Sequence, residues 1–358
     1  MKARSFALRA LDRTGVGRLC SLLTAGRLQI LCYHGFSFKD EHLFRGKLFM
    51  ASAIFQRRLE WLKKGRYNVL DLDDAVARLR AGTVKPKEIV ITIDDGFYSV
   101  FALAAPMLRA YGMRATVYVT SYYVTHGNPI FRLAVQYMAW KSTHDNVDLS
   151  GLLKDSGGTI ALRGFQAHER LQKFYEAAEE HLTEEQRACV AREFGIRVGV
   201  DYDELVGSRR LSLMSADEIK DLRSQGFDIQ LHTHRHRLPM AAAEISREIT
   251  DNRAVLSTLT DGRLEHFCYP SGLWDSCQWP VLSALGIRSA TTCLPGFNTS
   301  ETPLLGLRRF LDGQEISMEE FAVEMYGVKD LYRRVRSSRT AARTTSQRQE
   351  GQDDPAVG

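Results

Sequence analysis

Short apolar runs alternate with amphipathic segments along most of the chain, and this alternation limits the possible fold more than any other feature. The runs that predict buried strands are residues 28–33, 88–93, 116–120, 227–231, 264–269, 288–292 and 305–310. Residues 55–63, 99–110 and 244–259, which lie between such runs, have helical spacing. This order predicts a parallel α/β fold. We expect an irregular barrel rather than an open sheet, because no glycine-rich phosphate loop follows a strand.

Three segments depart from this alternation. Residues 131–213 carry polar and charged residues at helical spacing and predict a helical insertion. Residues 1–27 are basic and predict an amphipathic segment, which either packs on the domain, as we favour, or meets an anionic membrane surface. Residues 337–358 are polar and predict disorder. The main domain is therefore expected to span residues 28–336.

Composition narrows the function classes. Hydrophobic residues make up 44% and charged residues 25% of the chain, which is typical of a globular protein. The net charge is only +5, with much of the excess at the two ends, so we expect no nucleic-acid partner. The six cysteines form no C-x-x-C pair, and we find no secretory signal pattern. These features predict a cytoplasmic protein, with a peripheral position at the inner face of the membrane as the alternative. They leave the oligomeric state open.

Two polar clusters directly follow predicted strands, where barrels of this kind carry their chemistry. Asp94 and Asp95 follow the run at residues 88–93, and His232 and His236 follow the run at residues 227–231. The two histidines are four residues apart, so one helical turn places both on one side. Two histidines and one carboxylate leave a coordination position open, as in catalytic metal sites. We predict Asp95, His232 and His236 as metal ligands and Asp94 as general base; an exposed acidic turn and a basic loop are the alternatives.

A third cluster, residues 269–272, has the sequence Tyr-Pro-Ser-Gly and follows another strand. Proline and glycine at a strand end predict a stiff loop whose backbone N–H groups face the site and stabilise an oxyanion. We expect Pro270 and Gly272 to line the substrate site. An ordinary turn is the alternative interpretation.

Together, the three clusters resemble the motifs of the polysaccharide deacetylases, which share the NodB homology domain (carbohydrate esterase family 4). Residues 92–96 are similar to the T-F-D-D-G motif with Ile93 in place of phenylalanine, residues 232–236 match H-[ST]-x-x-H, and residues 269–272 are similar to a Y-P-x-G loop. The resemblance covers roughly residues 28–326, apart from the insertion.

The resemblance implies a deformed (β/α) barrel of about seven strands that removes N-acetyl groups from amino sugars of a polysaccharide or glycan precursor. It implies one divalent ion on Asp95, His232 and His236, with zinc expected first and cobalt, nickel or manganese as alternatives. Asp94 is then the base, and the backbone N–H of Tyr269 is the oxyanion donor.

Two departures from the family pattern affect this interpretation. Cys268 stands where many members carry the arginine that orients the base, and no Leu-x-His motif follows Leu305 to supply the general acid. Candidates for the acid are His34, His266 and Arg309. A deformylase or ester deacylase acting on a modified sugar, and a non-catalytic glycan-binding protein, are alternative functions.

Overall fold

The computed structural model describes residue 20 and residues 23–154 and 157–333. Most of the predicted N-terminal segment and the whole predicted tail lie outside these residues.

A curved sheet of seven parallel strands forms the centre of the fold, in the spatial order β11-β10-β9-β6-β5-β1-β12, and the short strand β4 pairs with β5. This half-barrel surrounded by helices confirms the predicted deformed (β/α) barrel. The strands are β1 Gln29–Tyr33, β2 Gly35–Ser37, β3 Phe49–Ala51, β4 Asn68–Val69, β5 Glu88–Ile93, β6 Thr116–Val119, β7 Asn146–Asp148, β8 Thr159–Ala161, β9 Asp228–Leu231, β10 His266–Cys268, β11 Ser289–Thr291 and β12 Phe310–Leu311.

Amphipathic helices cover the sheet, and their apolar faces build the core. In α2, for example, Phe55, Leu59 and Leu62 are spaced by three or four residues and are fully buried. The helices are α1 Glu41–Phe44, α2 Ser52–Lys64, α3 Leu72–Ala81, α4 Ala105–Ala110, α5 Phe131–Lys141, α6 Phe165–His181, α7 Glu184–Val198, α8 Tyr202–Ser208, α9 Ala216–Ser224, α10 Ala242–Leu256, α11 Trp279–Ala284 and α12 Met318–Met325. A π-helical turn, Val100–Ala104, precedes α4, where Pro106 has no N–H to donate.

The end of the barrel differs from the sequence prediction. The apolar run at residues 305–310 was expected to be one strand, but Leu304–Gly306 is a 3₁₀ turn and the strand pairing with β1 is limited to β12. Leu307 forms a bridge to Thr291 before the chain reaches β1. This segment therefore passes from β11 to β1, and it cannot stay in one ladder along its whole length.

The insertion is mainly helical, as predicted, and contains α5 to α8. The antiparallel pair β7 and β8 also lies there, and the pair β2 and β3 follows the first barrel strand. Each of these strands has three residues, which is too short for a period of two to be recognised in the sequence. Within residues 23–154 and 157–333, no helix is long and apolar enough to cross a membrane.

Candidate metal centre and active site

Asp95, His232 and His236 bring three donor atoms together at the carboxyl ends of β5 and β9. The Nε2 atoms of both histidines lie 3.1 Å from Oδ1 of Asp95. All three donor atoms lie within 4.8 Å of one another, which is close enough for a single ion to contact each of them. The structure thus brings the three predicted ligands into one group.

Backbone strain accompanies this group. Asp95 has φ 70°, Thr233 has φ 61° and His236 has φ 55°, values that non-glycine residues rarely adopt. Such conformations cost on the order of 1 kcal/mol each and cluster at functional sites. Gly96, with φ 84°, follows Asp95, and a Cβ there would lie 3.1 Å from Cγ1 of Val119. The turn after β5 therefore requires glycine.

The hydrogen bond of His232 fixes which of its ring nitrogens faces the group. Nδ1 lies 2.8 Å from the carbonyl oxygen of Cys268 and donates to it, which leaves Nε2 to face Oδ1 of Asp95. Burial lowers the pKa of His232, but neighbouring Cys268 and Asp95 outweigh burial and raise it well above the usual range. A proton or a cation is needed between these donors, and two imidazoles with one carboxylate fit a divalent metal.

Asp94, the predicted base, is buried next to this group and forms an ion pair with Arg309. Nη1 and Nη2 of Arg309 donate to Oδ1 and Oδ2 of Asp94, both at 2.7 Å. Burial alone would raise the pKa of Asp94, but the charge and hydrogen bonds of Arg309 hold it well below its usual value. The carboxylate is therefore ionised and fixed in orientation.

The prediction of Arg309 as a general acid has to be corrected. Its side chain is fully buried, and its Nε donates to the carbonyl oxygen of Thr292 at 2.9 Å. A guanidinium stays protonated in proteins, and this one directs both terminal nitrogens at Asp94. Arg309 therefore orients the carboxylate and has no proton to deliver.

Cys268 explains how Arg309 reaches Asp94. The Sγ atom of Cys268 lies 3.2 Å from Nη2 of Arg309 and 3.3 Å from Oδ2 of Asp94. The small cysteine side chain leaves room for a guanidinium that comes from the segment before β12. The arginine expected at position 268 is thus replaced in space by one 41 residues later in the chain. An arginine inside an apolar run, between Leu307 and Phe310, was the sequence signal for it.

The remaining acid candidates lie at opposite ends of the strands. His34 follows β1, and its Nε2 lies 3.7 Å from Oδ2 of Asp94. His266 begins β10 and contacts Ser289 and Asp73 instead. A cavity of about 710 Å³ opens beside His266 at the amino ends of the strands, away from the metal ligands. His266 is therefore excluded as the proton donor by its position.

Comparisons with known proteins agree with this geometry. The sequence profile described as "Polysaccharide deacetylase" matches residues 81–290, more than half of the 358 residues. The chain belongs to the polysaccharide deacetylase family.

Individual relatives are distant. YxkH of Bacillus subtilis (strain 168), whose name places it provisionally among the polysaccharide deacetylases, is 28% identical over 134 residues. That match covers 35% of this chain and 46% of YxkH, so the chain spans less than half the length of this curated relative.

Solved structures show the shared fold. The Streptococcus pyogenes deacetylase PplD, in complex with acetate, has a TM-score of 0.57 at 16% identity, covering 84% of this chain and 99% of PplD. IcaB from Ammonifex degensii has a TM-score of 0.52 at 16% identity, covering 84% of this chain and 97% of IcaB. The polysaccharide deacetylase BC0361 from Bacillus cereus has a TM-score of 0.51 at 18% identity, covering 84% of this chain and 69% of BC0361.

In this family member, the loop at residues 269–272 corrects the prediction for Tyr269. The N–H of Tyr269 donates to the carbonyl oxygen of Thr291 at 3.2 Å, as part of the sheet, so it is not free for an oxyanion. Pro270 has no N–H, and the N–H of Gly272 donates to the carbonyl oxygen of Tyr269 at 3.1 Å. Among the residues described, the N–H of Ser271 has no acceptor, and Ser271 has φ 56°.

The close approach of Cys293 explains Gly272. A Cβ on Gly272, which has φ 67°, would lie 2.6 Å from the Sγ atom of Cys293. Only glycine fits this position without movement of the neighbouring strand end. Gly272 therefore sets the path of the loop, and the contact of Pro270 and Gly272 with substrate stays a prediction.

Two buried polar residues of α10 support the loop that carries His232 and His236, and neither was predicted from the sequence. Oδ1 of Asn252 accepts from the backbone N–H of His232 at 3.0 Å, and Oε2 of Glu248 accepts from that of Arg235 at 2.8 Å. Asn252 and Glu248 are buried on the face of α10 that packs on the sheet. Polar residues on the apolar face of an amphipathic helix were the signal that could have identified them.

Proposed function

We propose that this chain is a metal-dependent hydrolase that removes N-acetyl groups from amino sugars of a polysaccharide or glycan precursor. One observation carries the proposal. Three donor atoms converge around Asp95, directly beside the buried, ionised carboxylate of Asp94. In a family of polysaccharide deacetylases, this arrangement matches the needs of amide hydrolysis.

Asp95, His232 and His236 would hold one divalent ion. Two imidazoles and a carboxylate suit zinc best, and cobalt, nickel or manganese are alternatives. The ion, when bound, would polarise the amide carbonyl and lower the pKa of water. The hydrogen bond from Nδ1 of His232 to the carbonyl oxygen of Cys268 supports this role, because it orients the ring for coordination.

Asp94 would accept the proton of the attacking water. Its carboxylate must be ionised and correctly oriented, and the paired hydrogen bonds from Arg309 meet both needs. Arg309 is therefore a positioning residue. Because it supplies the arginine that the third motif lacks, it removes one of the two departures from the family pattern that favoured a non-catalytic protein.

His34 would act as general acid toward the leaving amine. Its Nε2 lies 3.7 Å from Oδ2 of Asp94, and its side chain is 20% exposed, so it borders both the base and solvent. The backbone N–H of Ser271 would donate to the oxyanion, because it has no acceptor among the described residues.

The cellular setting is also part of the proposal. All six cysteines are free thiols, which suits a reducing cytoplasm. A cytoplasmic deacetylase would meet its sugar as a precursor in exopolysaccharide or surface glycan synthesis. We propose residues 28–336 as the catalytic domain.

Acetate release from a tetramer of N-acetylglucosamine tests the proposal. We expect zinc-loaded protein to release acetate, a chelator to abolish the release, and added zinc to restore it. The Asp94→Asn variant is the control for contaminating activity. The same assay with an N-formylated sugar and an O-acetylated sugar separates the alternatives. If only formate or only ester hydrolysis is seen, the substrate is wrong; if no acylated sugar is hydrolysed, the hydrolase assignment fails.

A further inference from the structure

A pair of stacked aromatic residues, exposed Phe38 and half-buried Tyr98, follows the carboxyl ends of β1 and β5 and has no place in the mechanism above. Phe38 and Tyr98 stack with their ring centroids 5.7 Å apart and their planes at 20°. Phe38 is four residues after His34, and Tyr98 is four residues after Asp94. Four residues of extended chain span at most ~14 Å, so the backbone of each ring lies within about that distance of His34 or Asp94.

Contacts with residues other than Phe38 hold Tyr98 in place. The guanidinium carbon of Arg209 lies 4.0 Å from the centroid of the Tyr98 ring. Nη2 of Arg209 donates to Oε2 of Glu218 at 2.9 Å and to the carbonyl oxygen of Leu213 at 3.0 Å, which fixes the guanidinium. The backbone N–H of Tyr98 donates to the carbonyl oxygen of Ser212 at 2.9 Å. The ring therefore has little freedom to move.

The helical insertion also fixes the segment that carries Phe38. Nζ of Lys39 lies 3.1 Å from Oε1 of Glu204 in α8. The hydroxyl of Tyr137 in α5 donates to Oδ1 of Asp40 at 2.7 Å. The insertion thus contacts Tyr98 through Arg209 and the segment of Phe38 through Lys39 and Asp40.

Phe38 is an unusual residue to leave uncovered. It is 36% exposed, whereas Phe36 and Phe49 in the same region are fully buried. A rigid, exposed aromatic ring beside a catalytic centre offers a flat apolar surface. The C–H face of a pyranose ring is flat and apolar in the same way, and its hydroxyls can stay in water.

We propose that Phe38, supported by Tyr98, forms a stacking subsite for the sugar unit next to the one that is deacetylated. The subsite makes the enzyme selective for glycans of several sugar units over single amino sugars. This inference rests on the proposed function, and it names a residue that determines substrate length.

The test compares N-acetylglucosamine with its β-1,4-linked tetramer. We expect wild-type protein to have a higher kcat/KM for the tetramer. Phe38→Ala should lower kcat/KM for the tetramer about tenfold and change that for the monosaccharide less than about twofold. Phe38→Tyr should keep most of the selectivity. Leu43→Ala is the matched control, because Leu43 is an exposed apolar residue of the same segment, 67% exposed, and should have no effect.

A second measurement does not depend on turnover. In Phe38→Trp, the new indole should change its fluorescence when the tetramer is added, relative to wild type given the same titration. A fluorescence response without hydrolysis of any sugar supports the subsite and contradicts the proposed function. If wild-type protein hydrolyses the sugars, and Phe38→Ala lowers kcat/KM equally for the tetramer and the monosaccharide or lowers neither, the subsite is overturned. The proposed function then remains intact. Absence of both hydrolysis and fluorescence response overturns both.

Discussion

The two ends of the barrel contain the same residue types in opposite electrostatic states. The carboxyl ends of the strands carry Asp95 and His232, and the amino ends carry Asp228 and His266. Burial favours the neutral form of every one of these groups. At the amino end burial prevails, raising the pKa of Asp228 to about 6 and lowering that of His266 to about 4. At the carboxyl end it does not: hydrogen bonds from His232 and His236 hold the pKa of Asp95 well below its usual value.

The partners explain the difference. Oδ1 of Asp95 lies 3.1 Å from two imidazole nitrogens. These nitrogens either donate a proton to the carboxylate or bind a cation together with it. Asp228 instead accepts from neutral groups, the hydroxyl of Thr116 at 3.1 Å and the amide of Gln230 at 2.9 Å. Neutral hydrogen bonds only partly offset the cost of burying a charge. A buried carboxylate and histidine therefore do not define a metal site; converging donor atoms do.

Backbone conformation separates the two ends as well. Seven non-glycine residues in the described part of the chain have positive φ. Four of them lie in the loops after β5 and β9, which carry the predicted ligands, or in the loop at residues 269–272. They are Asp95, Thr233, His236 and Ser271. The positive φ values are thus concentrated in the loops that carry the three donor atoms and in the loop of Ser271.

The largest effect should come from Asp94→Asn, which removes the base and keeps the side-chain shape. We expect acetate release to fall by roughly 10³-fold, with metal binding retained. The counterpart at the amino end, Asp228→Asn, should keep activity within about twofold. An equal loss of acetate release in Asp94→Asn and Asp228→Asn would contradict the conclusion that only the carboxyl end is catalytic.

His34→Gln should lower kcat about 100-fold, because the leaving amine then has no proton donor. Metal content should be unchanged, since His34 is not among the proposed ligands. The comparison variant is His266→Gln at the other end, for which we expect full activity. Activity that survives His34→Gln would leave the acid unassigned.

Arg309→Lys keeps a positive charge and loses the paired hydrogen bonds to Asp94. We expect kcat to fall about 10- to 100-fold with bound metal retained. Since Arg309 holds the pKa of Asp94 low, the acidic limb of the pH–rate profile should move to higher pH. An unchanged profile would contradict the positioning role, whatever happened to kcat.

The smallest effect concerns stability at the amino end. The pKa of Asp228 is raised by burial from 3.8 to about 6, so its contribution to stability is full below pH 4 and is lost as the pH rises through 6. Asp228→Asn should therefore be more stable than wild type by about 3 kcal/mol at pH 7.5, with little difference at low pH. The free energy of unfolding of both proteins, measured with urea at pH 7.5 and below pH 4, tests this difference. The same pH dependence in both proteins would show that Asp228 titrates normally.

The contrast also shows which features the sequence could predict. The barrel and the proximity of Asp95, His232 and His236 were predictable, because each motif is a short continuous stretch directly after an apolar strand. Arg309 was misassigned because its partner Asp94 is 215 residues away, and only the fold brings them together. The N–H of Tyr269 was predicted to face the site but donates to Thr291 within the sheet, because the direction of a backbone N–H depends on φ and on sheet pairing. His266 was named as a candidate for the general acid because the sequence does not show at which end of a strand a histidine lies. The structure places it at the start of β10, at the amino end.

Calorimetric titration of zinc into metal-free protein tests the central claim, that converging donor atoms at the carboxyl end form the metal site. His236→Ala removes one proposed ligand, whose side chain is 37% exposed, and His266→Gln changes the buried histidine at the other end. We predict one zinc ion per chain in wild type and in His266→Gln, with binding abolished or at least 100-fold weaker in His236→Ala. Wild-type protein that binds no zinc, or binding that survives in His236→Ala and is lost in His266→Gln, would contradict the account.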